Sequence, residues 1–221
     1  MATQILKSIK GKVVRLTRLD ECGDVVEGSC TTVVSDCFVS VTMTADIEEG
    51  DEYLQKNAFG DFCINDKDVD RIKRVNVSIE FAEINPDSLD IIANAQPVVS
   101  SGDTIGSSFG PNTQSESFAL EVWTKRTNPD NCDATNPEHG YFLVPFVKNG
   151  RIDGDVLIEN GALTVSVMGQ AFEAPASWDE GPYPSNPFVE SFPAGDFFGM
   201  VVTTVQPPAV TDGCVAYVAP T

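Results

Sequence analysis

The chain contains a single histidine, His139, in the run PEHGYF. Any Ser–His–Asp or Cys–His nucleophilic site would have to be built on it. No G-x-S-x-G elbow or comparable nucleophile motif accompanies it. It reads as a turn histidine at the entrance to a strand, without a catalytic role. Cys22, Cys30, Cys37, Cys63, Cys132 and Cys214 are irregularly spaced and form no C-x-x-C pair, so zinc ligation has no motif here. They read mostly as reduced, partly buried small side chains. Cys22 and Cys30, which flank an acidic loop, are the expected pair if one forms. A phosphate loop of the form G-x-x-x-x-G-K-[ST] is absent.

Carboxylates are the remaining candidates for chemistry. Asp66, Asp68 and Asp70 alternate in NDKDVD like the start of a calcium loop. Arg71 and Val77 stand where such a loop needs its Gly and its distal Glu. Asp46, Glu48, Glu49, Asp51 and Glu52 form a denser cluster, read as a solvated turn. Paired carboxylates can hydrolyse glycosides, but that chemistry also wants an aromatic groove, and Trp123 and Trp178 are the only tryptophans. The reading assigns no catalytic residue, no metal and no cofactor, and expects no enzyme.

The elements that would carry these residues are mostly strands. In Arg74–Ala95, Val75, Val77, Ile79 and Phe81 alternate with Asn76, Ser78 and Glu80, the period of a half-buried strand. A helix follows, with Asn85 as N-cap, Pro86 at its first position, and Ile84 and Leu89 spaced as a hydrophobic staple. It is the only convincing helix in the sequence. Cys37–Ile47 alternates in the same way, with Ser40, Thr42, Thr44 and Asp46 on the polar side. Residues 12–19, 118–124, 141–147, 154–159, 162–169, 197–206 and 214–218 also read as strands. A hairpin is expected around Phe59–Gly60, and another at Asn160–Gly161. Pro97–Ser117 reads as a long polar loop and Asn128–His139 as another. Trp178–Pro193 reads as a proline-rich meander. The expected architecture is mainly β: two packed antiparallel sheets, a sandwich or barrel, with one flanking α-helix. It forms a single domain over residues 1–221, with an N-terminal arm at 1–12 and a long loop at 98–117.

Charge narrows the function classes. Lys+Arg number 14 and Asp+Glu 33, a net of −19, which argues against wrapping nucleic acid. Lys7, Lys10, Lys12, Arg15 and Arg18 crowd an acid-free start, and no Lys or Arg follows Arg151. Such asymmetry suits self-complementarity, a basic arm of one copy meeting an acidic face of the next. No window is long and apolar enough for a membrane span, and the N-terminal run lacks the pattern of a signal peptide.

IEFAEINPDSLDIIANA resembles the strand–turn–helix of major tail tube proteins of long-tailed bacteriophages. The resemblance extends through RLTRLDECGDVVEG, FVSVTMTADIEEGDEYLQKNAFGDFCINDKDVDRIKRVNVSIEF, GYFLVPFVKNGRIDGDVLIENGALTVSVMG and VVTTVQPPA, in the order found in tail proteins of phages that infect actinobacteria. It covers nearly the whole chain. One departure is NAQP, where a Gly-containing helix end is expected. The resemblance implies a structural virion protein that assembles with itself into hexameric rings stacked as a tail tube. Its partners would be the tape-measure, tail terminator and tail-tip proteins. DNA would pass through without specific binding, after assembly in the host cytoplasm. On this reading Ser40, Thr42, Thr44, Asp46, Asn76, Ser78 and Glu80 are the candidate lumen face. Lys7, Lys10 and Lys12, with the loop from Ser100 to Ser117, are the candidate inter-ring contacts. The alternatives are a virion decoration or receptor-binding β domain, and a carboxylate hydrolase.

Overall fold

The computed structural model describes residues 8–110, 117–126, 138–153, 164–175 and 192–217. Its strands are β1 (Ser8–Leu19), β2 (Thr32–Ser35), β3 (Phe38–Glu48), β4 (Glu52–Lys56), β5 (Phe62–Lys67), β6 (Arg71–Phe81), β7 (Gln96–Ser100), β8 (Asp103–Ser108), β9 (Ser117–Arg126), β10 (His139–Ile152), β11 (Val165–Ala171) and β12 (Gly199–Thr203). One helix, α1 (Pro86–Ala93), lies between β6 and β7. The fold is mainly β and antiparallel, as the alternating sequence pattern requires.

Eight strands make one sheet in the order β2-β1-β9-β10-β11-β6-β3, with β12 paired to β10 off this path. The long strand β10 joins two halves. Its start pairs with β9 and β12, its end pairs with β11, and a register shift between Val144 and Val147 lies where β10 changes neighbours. The sheet thereby folds over a shared core. Val14 and Leu16 of β1 and Leu120 and Val122 of β9 pack in one cluster with Val75, Val77 and Ile79 of β6 and Val167 of β11. Gly11 of β1 closes the gap toward β3, since a Cβ there would overlap the Phe38 ring.

The helix fills the end of this core with Leu89, Ile91 and Ile92. Asn85 caps it by accepting the N–H groups of Asp87 and Ser88, and Pro86 opens it. Asn94 ends it in the left-handed region (φ 47°), donating its N–H to the Asp90 carbonyl at 2.8 Å. Asn is the residue besides Gly that tolerates this conformation, so the expected Gly-type helix end is made without Gly. Ile84, the expected staple partner, is 46% exposed, whereas Leu89 is buried. Arg18 of β1 holds the helix from outside through Asp90, at 2.7 Å. Gly150 of β10 lets the helix approach, because any Cβ there would overlap the Ile92 carbonyl.

The half of the sheet made by β1, β9 and β10 is buried on both faces. Its second face carries Leu19, Ala119, Trp123, Tyr141 and Leu143 under Phe146, Ala174 and Phe192. Within it Arg15 and Glu121 form a two-pronged ion pair, Nε–Oε2 at 2.6 Å and Nη2–Oε1 at 2.7 Å. Tyr141 donates its hydroxyl to Glu121 Oε1 at 2.6 Å. Burial, then the Glu121 charge, holds the Tyr141 hydroxyl well above its usual pKa, so it stays a donor.

Several expectations change. Arg15 and Arg18 are spent on internal pairs and do not belong to a free basic arm. Residues Ser8–Lys12 are the start of β1, paired to β9, and not an arm. The long loop expected at 98–117 contains the hairpin β7–β8, and Ser117 opens β9. Its turn is Ser101–Gly102, both at positive φ, the geometry of a two-residue hairpin turn. Cys30 pairs with Cys214, not with Cys22, and Cys22, Cys37 and Cys63 are free and exposed. Strand β2 has no counterpart in the sequence reading. His139 is not a turn residue but a buried one that opens β10, with Nε2 3.3 Å from Gln206 Oε1. Residues 128–137 of the loop expected at 128–139, the Asn160–Gly161 hairpin with its strand at 154–159, and residues 178–191 lie outside the described residues.

Glu121→Leu strands the Arg15 charge in an apolar layer and costs about 3–5 kcal/mol, measured as a lower urea midpoint. Burial, the largest cause, and the Lys12 charge hold the His139 pKa below its ordinary value, against a Gln206 contact that raises it. The folded state then favours the neutral ring, while the unfolded chain takes up a proton as pH falls through about 6.5. Stability therefore drops between about pH 7.5 and 5.5, and His139→Gln flattens that part of the profile.

Candidate functional site

The seven residues proposed for a polar face do share one. Their registers are Ser40 opposite Glu80, Thr42 opposite Ser78, and Thr44 opposite Asn76, with Asp46 opposite Arg74. All sit on the side of β3 and β6 away from Val75, Val77 and Ile79, because side chains alternate between faces. Ser40 donates to Glu80 at 3.4 Å, and Arg74 pairs with Asp46 at 2.8 Å. Strand β11 widens the face with Ser166, Met168 and Gln170, opposite Glu80, Ser78 and Asn76. Asn149 joins through Gln170 at 3.0 Å. The sequence reading missed these. Their signal was the alternation Val165, Val167, Gly169 and Ala171, which places Ser166, Met168 and Gln170 outward. The face is mostly hydroxyl and amide, with Glu80 as its one carboxylate lacking an ion-pair partner among the described residues.

Beyond this face β3 and β6 run on into a projection. Strands β4 and β5 pair only with each other, and every residue of both is exposed. Tyr53 and Leu54 are adjacent and therefore point to opposite faces, and Phe62 and Ile64 follow on the return strand. At the tip Phe59 is 94% exposed, held by a tight turn in which Asn57 Oδ1 accepts the N–H groups of Phe59 and Asp61, both at 2.9 Å. Strands β7 and β8 make a second two-stranded hairpin, in contact with α1, with Val99 59% and Ile105 65% exposed. An isolated two-stranded hairpin is marginal in water. Apolar side chains on both faces of one call for a covering surface.

The acid cluster lies at the base of the first projection. Glu48, Glu49, Gly50, Asp51, Asp68, Val69 and Arg71 line a cleft of about 470 Å³. Asp70 accepts the Gly50 N–H at 3.0 Å and pairs with Lys67 at 3.1 Å. The Gly50 N–H, then Lys67, holds its carboxyl below the usual range. Among the described residues no three of these carboxylates come within ligating distance.

The candidate contacts separate. Lys10 and Lys12 are exposed on β1, and Ser100 is exposed beside the β7–β8 turn. Ser117 is 5% exposed, buried opposite Leu19, and offers no contact surface. Lys7 lies outside the described residues. Between Glu48 and Arg71 stand eight acids and three bases, so the projection is opposite in charge to Lys10 and Lys12. Among the described residues no helix is long and apolar enough to cross a membrane.

No family model matches the chain, and no curated protein matches it.

The exposure of the first projection makes a direct prediction. Replacing Leu54, Phe59 and Ile64 together by Ser changes the stability of the dilute chain by no more than about 0.5 kcal/mol per site, because none is packed. Thermal unfolding at low concentration checks this. A large loss would mean that the projection folds back onto its own chain.

Proposed function

We propose that this chain is a structural virion protein that assembles with itself into the tail tube of a long-tailed phage, a conduit for genome delivery. The observation that carries the reading is the pair of exposed hairpins, whose apolar side chains are uncovered in the single chain. A second copy is the partner whose chemistry fits. The acidic first projection complements the exposed Lys10 and Lys12, and head-to-tail contacts between unlike patches build rings or filaments. Six subunits per ring, and the tape-measure, terminator and tip proteins as further partners, rest on the family resemblance.

The polar face suits the bore. Hydroxyls and amides on β3, β6 and β11 offer phosphates no cationic grip, and Arg74 is engaged by Asp46. The remaining carboxylate, Glu80, repels phosphates within about 8 Å at physiological salt. DNA then slides along such a wall without binding to it.

Electron microscopy of the concentrated protein tests the reading. Hollow tubes or stacked six-fold rings are expected. Discrete monomers or trimers would contradict the reading and favour a decoration or receptor-binding domain. The Leu54, Phe59 and Ile64 to Ser variant, folded as a single chain, should form at least about tenfold less polymer, as loss of a buried apolar cluster at an interface demands.

A further inference from the structure

Strand β2 ends the sheet on one side, yet its outer edge is not bare. Residues 211–217 run along it. Val215 donates to the Thr32 carbonyl at 2.8 Å and accepts from the Thr31 and Thr32 N–H groups, both at 3.0 Å. Thr211 donates its N–H to the Val34 carbonyl at 3.0 Å, and its hydroxyl accepts the Val34 N–H at 3.1 Å. Tyr217 donates its N–H to the Thr31 hydroxyl at 2.9 Å. The outward backbone N–H and C=O groups of Thr32 and Val34 are thus occupied by this strap.

Two anchors converge at its middle. Cys214 is disulfide-bonded to Cys30, just ahead of β2, with the two Cα atoms 4.8 Å apart. The Cys214 N–H donates to Asp87 Oδ2 at 2.8 Å, at the start of α1. Both cysteines are half-buried, so a small thiol can reach the bond. The bridge closes across 184 residues of sequence and joins the strap to the edge it covers.

We propose that residues 211–217 are a redox-controlled guard on the β2 edge. With Cys30–Cys214 oxidised the strap is held in place, and β2 cannot pair with another chain. In the reduced state the strap detaches more often and opens the edge to a second copy; that occupant rests on the assembly reading above. The chemistry is thiol–disulfide exchange. A small-molecule thiol attacks one sulfur of the pair as thiolate and forms a mixed disulfide. A second such thiol completes the exchange, leaving two cysteine thiols and one small-molecule disulfide, so two electrons and two protons pass to the protein. A small-molecule disulfide runs the reaction backward. An uncovered edge strand is a template for strand addition, which gives the guard something to prevent.

Strand β2 carries its own control. The Thr32 and Val34 N–H groups point to the strap, whereas those of Val33 and Ser35 point to β1, opposite Leu16 and Val14. Amide hydrogen exchange on dilute full-length protein, oxidised and then treated with a thiol reductant, separates the two sets. Thr32, Val34 and Val215 should exchange at least about tenfold faster after reduction, with Val33 and Ser35 unchanged. The Cys30→Ser, Cys214→Ser double variant should match the reduced protein. Equal acceleration of both sets would show a general loss of stability and overturn the guard, as would no change in either. A reduced protein with freed Thr32 and Val34 amides that associates no more than the oxidised one, by sedimentation under reducing conditions, would also overturn it. The exchange measurement needs no polymer, so it stands apart from the test of the assembly reading.

Discussion

An open β-sheet must dispose of its edges, and that constraint organises this molecule. Eight strands fold over a common core without closing into a barrel. The sheet therefore ends at β2 on one side and β3 on the other. The β2 edge is covered by the strap at 211–217. The β3 edge has no strand beyond it among the described residues. Past it, β3 and β6 continue into the β4–β5 hairpin, every strand residue of which is exposed. An edge left bare, beside a hairpin with exposed Tyr53, Leu54, Phe59 and Ile64, is a poor arrangement for a solitary subunit and a serviceable one for a subunit that meets its own kind.

Rigidity behind those surfaces comes from the doubly buried β1–β9–β10 layer. Arg15 and Glu121 satisfy each other inside it, and Tyr141 adds its hydroxyl, so a charge pair sits in an apolar layer with good geometry. The helix is tied to the same layer through Arg18–Asp90 and through the close approach that Gly150 permits. The polar face of β3, β6 and β11 is the outer side of strands whose inner side is wholly apolar. Its position is therefore fixed as firmly as the core.

Alternation made much of this legible in the sequence. Val75, Val77, Ile79 and Phe81 announced both the strand and its sidedness, and the seven polar-face residues followed. Asn85–Pro86 announced the helix. What escaped was set by tertiary partners. Arg15 looked like part of a basic arm because its partner, Glu121, is 106 residues away. Cys30 looked nearer to Cys22 than to Cys214, because the strap that brings Cys214 to it has no regular pattern. The β7–β8 hairpin was hidden by its polar composition, although Ser101–Gly102 between Val98–Val99 and Thr104–Ile105 carries a turn signal. Strand β2, four residues long, was too short for any period to show.

The central claim is that the exposed hairpins are interface and not ornament. Hydroxyl-radical footprinting of the protein, dilute and then concentrated, tests it most directly. On this account, modification of Tyr53, Phe59 and Phe62 falls severalfold at high concentration. Unchanged modification of the hairpin residues in a sample shown to be polymerised would contradict it.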